Sequence, residues 1–162
     1  MIKLMSSKQN ITIQGPVTGQ AAICEPILRS LPEWFGIESS IRDFVIKIDR
    51  LPTLVAWRDK TPIGFLTVEL TGEYAAEVLV MGVLSAYHRQ GIGRRLMEVI
   101  ENHLRKHGVE FLQVKTLSDT HPDLFYKQTR AFYCDLGFRR LEEFPTLWGA
   151  DSPCVQMIKR LQ

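Results

Sequence analysis

The sequence predicts an α/β chain built on a mixed sheet covered by helices. Three observations lead there. A run of three strand-like segments, Thr53–Trp57, Gly64–Leu70 and Ala76–Leu84, follows without intervening helices, as a β-meander does. One amphipathic helix then separates the third from a fourth, Phe111–Thr116, as in a single β-α-β unit. A further helix and two short strand-like runs close the chain, and such an order gives a sheet with helices packed on it. A doubly wound sheet is excluded, because the early strands lack crossover helices.

The elements follow in order. Residues 1–10 are polar enough for a loose tail. Ile11–Ile13 (ITI) reads as a short first strand ending at a Gly-Pro turn. From Thr18 to Ser30, Ala21, Ala22, Ile23, Ile27 and Leu28 fit one helical face, which LPEWFG interrupts. Ser39 stands where it would cap a second helix carrying Ile41, Val45 and Ile48. Asp59, Lys60 and Pro62 supply the turn between the first two meander strands. The crossover helix presents Ile92, Leu96, Val99, Ile100, His103 and Leu104 as a stripe and stops at Gly108. Leu124–Leu136 forms the last helix, ended by Gly137, and FRRL and CVQMIK are the final strands.

The 162 residues suit one domain spanning 1–162. With 45% apolar and 23% charged residues the composition is that of a globular protein, and a net charge of +2 argues against nucleic acid or membrane as partner. Cys24, Cys134 and Cys154 match neither a disulfide framework nor a zinc pattern, so no metal is expected. The N-terminal MIKLMSSKQN lacks the apolar core of a signal peptide, and the apolar run Val78–Leu84 is far short of a membrane span; a cytoplasmic location is the expectation.

The chemistry concentrates in YHRQGIGRRLM, Tyr87–Met97. Gly91 and Gly93 sit between a buried-looking strand and an amphipathic helix, whose first N–H groups lack internal partners and can cradle an anion. Arg89, Arg94 and Arg95 crowd this positive helix end, a conflict that a pyrophosphate would offset. The dinucleotide fingerprint fails because Leu96 stands where a third glycine is needed, and a Walker loop fails because Arg94 and Arg95 follow Gly93. A plain strand-to-helix turn with solvated arginines is the alternative.

VMGVLSAYHRQGIGRRLM resembles the acetyl-CoA-binding segment of the GNAT superfamily of N-acetyltransferases, and TRAFYCDLGF, Thr129–Phe138, resembles the family's F-Y-x-x-x-G-F segment. The two cover Ala76–Arg139 in the family's order. The resemblance implies a central, mostly antiparallel sheet with a V-shaped splay between two parallel strands and helices on both faces. It implies acetyl-CoA as co-substrate, with the pyrophosphate over His88, Arg89, Gln90, Gly91, Ile92, Gly93 and Arg94. His88 departs from the usual Arg or Gln at the first motif position. Tyr126 stands where many members carry an Asn that contacts the pantetheine arm, and Phe132 is implied beside the cofactor. Gly82, alone in an apolar strand, suggests a bulge or a close backbone approach. By resemblance, the backbones of Met81 and Val83 bind the pantetheine arm like an added strand, and their N–H groups can stabilise an oxyanion.

Two side chains are implied for the reaction. Tyr133 takes the family position of the acid that protonates the leaving thiolate, and packing on a helix is its alternative. Two-residue periodicity places Glu77 on one face with Leu79, Met81 and Val83, an apolar setting that suits a general base. Histone-acetylating members have a glutamate there. A solvated place at the strand's mouth is the alternative, and Glu69, Glu73 and His121 are rival bases.

The acceptor is expected to be a small-molecule or protein amine. Trp34, Phe35, Phe144 and Trp148 could wall its pocket and Glu33, Glu38, Glu142, Glu143 and Asp151 attract it, against a plainer role in packing and solvation. Homodimers are common in the family and are an option here. Other readings are a longer acyl group, or a non-catalytic module that senses acyl-CoA or binds a partner.

Overall fold

The computed structural model describes residues 10–162. These form strands β1 (Ile11–Val17), β2 (Thr53–Arg58), β3 (Thr61–Leu70), β4 (Ala75–Val83), β5 (Phe111–Leu117), β6 (Arg139–Phe144) and β7 (Cys154–Arg160). The helices are α1 (Ala21–Arg29), α2 (Glu38–Arg50), α3 (Ile92–Lys106) and α4 (Leu124–Asp135). Of the tail expected over 1–10, residues 1–9 lie outside the described residues. The carbonyl of Asn10, the first described residue, accepts the Asp59 N–H. Among the described residues no helix is long and apolar enough to cross a membrane.

All seven strands join one sheet in the order β1-β2-β3-β4-β5-β7-β6. Among the described residues the only parallel neighbours are β4 and β5; each of the other pairs is antiparallel. The parallel pairing runs only from Ala75–Phe111 to Val78–Val114. Beyond it β4 continues to Val83 and β5 to Leu117, each still paired to its outer neighbour. A V-shaped splay therefore opens between them.

Two cores flank the sheet. On one face α3 and α4 cover Leu66, Val68, Val78, Leu112, Val114, Val155 and Met157. On the other, α1 and α2 cover Val55, Phe65 and Val80. Burying the α3 residues Ile92, Leu96, Met97, Ile100 and Leu104 contributes roughly 2 kcal/mol each. The α3 stripe differs from the expected one in two places. Val99 is exposed and His103 only half-buried, whereas Met97 and Glu101 are buried. Glu101 is admitted because Lys159 and Arg105 neutralise it.

Three boundaries also differ. β1 continues through Gly15-Pro16 to Val17 rather than turning there, with Gly15 at φ +100° under the Thr53 carbonyl. At that point a Cβ would lie 2.6 Å from the Thr53 oxygen, so only glycine fits. Ser39 does not cap α2. The helix begins at Glu38 after an extended Ile37, with no side-chain cap, and Glu38 sits in the positive first turn. α4 is capped by Asp123, whose carboxylate accepts the Tyr126 N–H at 2.9 Å.

The bulge in β4 lies at Leu79, not at Gly82. Val78 pairs with Val68 and Val80 with Thr67, leaving Leu79 as the inserted residue. Gly82 instead marks a close approach. A Cβ there would lie 3.2 Å from both Leu31 Cδ1 and Phe65 Cε1.

Candidate active site

The β4 bulge determines what each side chain and amide of this strand faces. The Leu84 N–H bonds the Ile63 carbonyl at 2.9 Å, so Gly64 and Val83 form a non-hydrogen-bonded pair. Alternation makes Leu66–Met81 another. The N–H and C=O of Met81 and Val83 thus point away from β3, into the splay that β5 has vacated. The Val83 carbonyl accepts a 2.6 Å bond from His88 Nε2.

The same bulge corrects the expectation for Glu77. Leu79 and Val80 both point to the α1–α2 face, so the alternation changes phase. Glu77 shares the α1–α2 face, while Met81 and Val83 pack on the α3–α4 core. Nor is Glu77 surrounded by apolar groups. Lys115 Nζ sits 3.1 Å from both carboxylate oxygens, at the splayed end of β5. Glu69 pairs directly opposite Glu77 across β3–β4. Glu73 is exposed in the turn between those strands. His121 lies elsewhere, in a groove on the outer side of α4 beside Lys127, Arg130 and Cys134.

After β4 the chain makes a short 3-10 turn, Ser85–Tyr87, and then the glycine loop. Arg58 from β2 anchors this turn, donating to Tyr87 Oη at 3.2 Å and lying over its ring. Arg89 adopts φ +58°, a left-handed backbone that costs a non-glycine residue roughly 1 kcal/mol or more. Gly91 follows at φ +79° as the N-cap of α3, and no side chain caps the helix. The first backbone bond of α3 runs from the Arg95 N–H to the Gly91 carbonyl, leaving the Ile92, Gly93 and Arg94 N–H groups without helical partners.

Arg89, Gln90 and Arg94 are exposed around these amides, and neither Arg89 nor Arg94 has an ion pair among the described residues. Arg95 is committed elsewhere, donating to the Ile11 carbonyl at 3.0 Å. The Ile92 side chain belongs to the core, so only its amide is available. The two glycines have different reasons. Gly91 meets nothing where a Cβ would be, and its φ is what requires glycine. Gly93 makes room for Phe132, whose ring would lie 3.1 Å from a Cβ.

Phe132 and Tyr133 come from α4. Tyr133 is 5% exposed, edge-on to Phe132 at 5.3 Å and to Phe138 at 5.4 Å. Burial holds its phenol pKa well above the ordinary tyrosine value, so the proton stays on. Tyr126 donates to the Trp34 carbonyl at 2.7 Å, and burial pushes its phenol up to about 12. Its hydroxyl is therefore engaged with the α1–α2 loop.

The aromatics weighed as an acceptor pocket divide. Phe35 packs on Phe44 in the α1–α2 core, Trp34 rests on Phe125 and His88, and Trp148 is exposed in the β6–β7 loop. Among the carboxylates, Glu38 pairs with Arg29 and Arg42, and Glu143 with Arg140. Two features escaped the sequence. Lys115 joins Glu77 only through the strand register. Thr116, buried at the splayed end of β5, has a hydroxyl without a partner among the described residues.

The residues present suit a diphosphate carrying a strand-like arm. Uncapped amides and unpaired guanidinium groups stand at the α3 terminus, and the free edge of β4 leads to it. Comparison with known proteins agrees. Residues 49–140 match the family model described as an acetyltransferase (GNAT) domain. No curated protein matches the chain in sequence. Among solved structures it is similar to a protein from Desulfovibrio desulfuricans put forward as an acetyltransferase of the GNAT family. That likeness has a TM-score of 0.83 at 14% identity and covers 94% of this chain and 100% of that one. It is also similar to the ribosomal-protein-S18-alanine N-acetyltransferase of Escherichia coli, with a TM-score of 0.73 at 20% identity over 94% and 95% of the two chains. An aminoglycoside 6′-N-acetyltransferase complexed with coenzyme A gives 0.71 at 19% identity over 93% and 97%. At these identities the likeness is one of fold.

Proposed function

The chain belongs to the GNAT acetyltransferase family, and from that premise we propose that it transfers the acetyl group of acetyl-CoA to an amine by direct attack within a ternary complex. The observation that carries the reading is the splay between β4 and β5, which opens onto an uncapped helix terminus flanked by unpaired arginines. When bound, acetyl-CoA supplies an activated thioester. The chain's residues do the rest. The Ile92, Gly93 and Arg94 amides, with Arg89 and Arg94, hold the pyrophosphate, and His88 and Gln90 flank it. The slot-facing backbone groups of Met81 and Val83 orient the arm, while Phe132 closes the slot from α4. Tyr133, kept protonated by burial, is the acid beside the leaving sulfur.

The splay connects the two faces of the sheet. Tyr133 lies on the α3–α4 side and Glu77 on the α1–α2 side, so an amine approaching from the latter meets Glu77 first. Glu77 takes up the ammonium proton directly or through water and becomes neutral, while Lys115 offsets its charge in the resting carboxylate form. Small-molecule and protein amines both satisfy this arrangement, and an aminoglycoside and a ribosomal protein are the substrates named for two of the similar structures.

Calorimetry with coenzyme A, followed by thiol-release assays over a panel of amines, tests the proposal. Submicromolar to micromolar binding and turnover on at least one amine are expected. Binding without turnover on any amine would favour a sensing module. Arg94→Ala should weaken coenzyme A binding about tenfold, the worth of a charge-assisted hydrogen bond, and flatten its salt dependence. Glu77→Gln should lower kcat/KM for the amine by about tenfold or more with coenzyme A affinity unchanged. Unaltered kinetics would leave Glu77 only its pairing with Lys115.

A further inference from the structure

Trp34 belongs to the loop between α1 and α2 and packs on their core, yet it also reaches α4 and the glycine loop. Its indole Nε1 donates to Thr129 Oγ1 at 3.0 Å, and its carbonyl accepts the Tyr126 hydroxyl at 2.7 Å. Its ring stands edge-on to Phe125 at 5.1 Å and to His88 at 5.7 Å. His88 in turn donates from Nε2 to the slot-facing carbonyl of Val83. Building on the proposed acyl-CoA slot, we infer that Trp34 is a positioning residue that relays occupancy of the slot, through His88, to the acceptor side of the sheet.

One acceptor in the slot is contested. The Val83 carbonyl is one of two that the β4 edge offers to an arm adding alongside it, and His88 already holds it at 2.6 Å. When Val83 exchanges the imidazole for an amide donor of the arm, His88 loses that anchor. Trp34 then loses one of the two rings its edge rests on. Its bonds to Thr129 and Tyr126 remain, so the indole pivots on α4 rather than coming free. Its backbone carries the α1–α2 loop with it. Leu31, at the start of the same loop, packs directly on Gly82 of β4. A change at Val83 thus reaches the wall that an amine must pass, without any contact between amine and imidazole.

The test uses the indole as its own reporter. The chain has three tryptophans. Trp148 is exposed and the Trp57 Nε1 has no hydrogen-bond partner among the described residues, so a W57F/W148F background removes no such bond there. S-acetylpantetheine, which lacks the diphosphate, is titrated while Trp34 emission is followed, with calorimetry in parallel. A spectral shift saturating at the calorimetric dissociation constant is expected. His88→Ala should abolish the shift and tighten acetylpantetheine binding about fivefold, since a competing hydrogen bond of about 1 kcal/mol is gone. Thr129→Val should raise the KM for the amine several-fold at nearly constant kcat. If the double variant folds poorly, 19F spectra of 5-fluorotryptophan in the unsubstituted chain give the same readout. Binding that leaves the Trp34 signal unmoved, with His88→Ala no tighter, overturns the relay while the slot stands. Failure of coenzyme A itself to bind removes the slot, and the relay with it.

Discussion

Replacing Tyr133 by Phe should lower kcat by about a hundredfold or more while changing the coenzyme A dissociation constant by no more than about threefold. The substitution removes one oxygen and keeps the ring. The ring is what packs, edge-on to Phe132 and Phe138 in a site 5% exposed. Fold and slot should therefore survive. What is lost is a proton donor for a thiolate whose ordinary pKa, by analogy with cysteine, is about 8.5. Burial keeps the phenol protonated above its ordinary range. The acceptor amine, in contrast, must shed a proton of pKa about 10 before it attacks. Turnover by the native chain should thus climb with pH toward that value, with no fall caused by Tyr133 ionising. Rapid-quench kinetics on both forms across pH 6–10 check this. A Phe variant with native kcat would leave Tyr133 a packing residue.

The largest stability effect is expected at Glu101. Its side chain is 7% exposed on α3, held by Lys159 Nζ at 2.7 and 2.9 Å and by Arg105 Nη2 at 3.1 Å. Lys159 belongs to β7, and Arg105 Nε also donates to the Leu161 carbonyl. One carboxylate therefore ties α3 to the last strand and the chain beyond it. Glu101→Ala leaves the Lys159 ammonium largely buried and unpaired, a loss of about 3–5 kcal/mol. Urea melts should show it as a lower midpoint at similar slope, and thermal melts as a drop of roughly 6–15 °C. Arg42→Ala, which breaks an exposed pair with Glu38, should cost less than about 1 kcal/mol. Equal effects from the two substitutions would contradict the buried linkage. Coenzyme A binding in the cold should be unaffected by either.

Much of this arrangement was legible in the residues. Apolar spacing placed α1, α3 and the meander, whose buried positions are mostly apolar, whereas α4, which buries only Tyr133, was marked chiefly by the Gly137 that ends it. The glycine loop was readable because its demands are local: a left-handed N-cap at Gly91, uncapped amides, nearby arginines. What stayed hidden depends on pairing between distant segments. Lys115 and Glu77 are brought together by parallel register, and Trp34 meets Thr129 across most of the chain. Glu101 reads as a polar position on the helix until Lys159 arrives from β7. The face of Glu77 was misjudged for a different reason. Counting by twos presumes one residue per step, and nothing in the apolar run VLVMGVL marks Leu79 as surplus.

That surplus residue shapes the course of the strand rather than its facing. Any hydrophobic side chain would serve at position 79, since Val78 and Val80 on either side of it pair with consecutive residues of β3. Removing Leu79 would restore a regular ladder, with Val78 opposite Val68, Val80 opposite Thr67 and Met81 still opposite Leu66, so the amides that now look into the gap would keep their direction. The extra residue sits where β4 parts from β5, just past Val78, so what it governs is the bend of the strand and the width of the opening, not which groups line it.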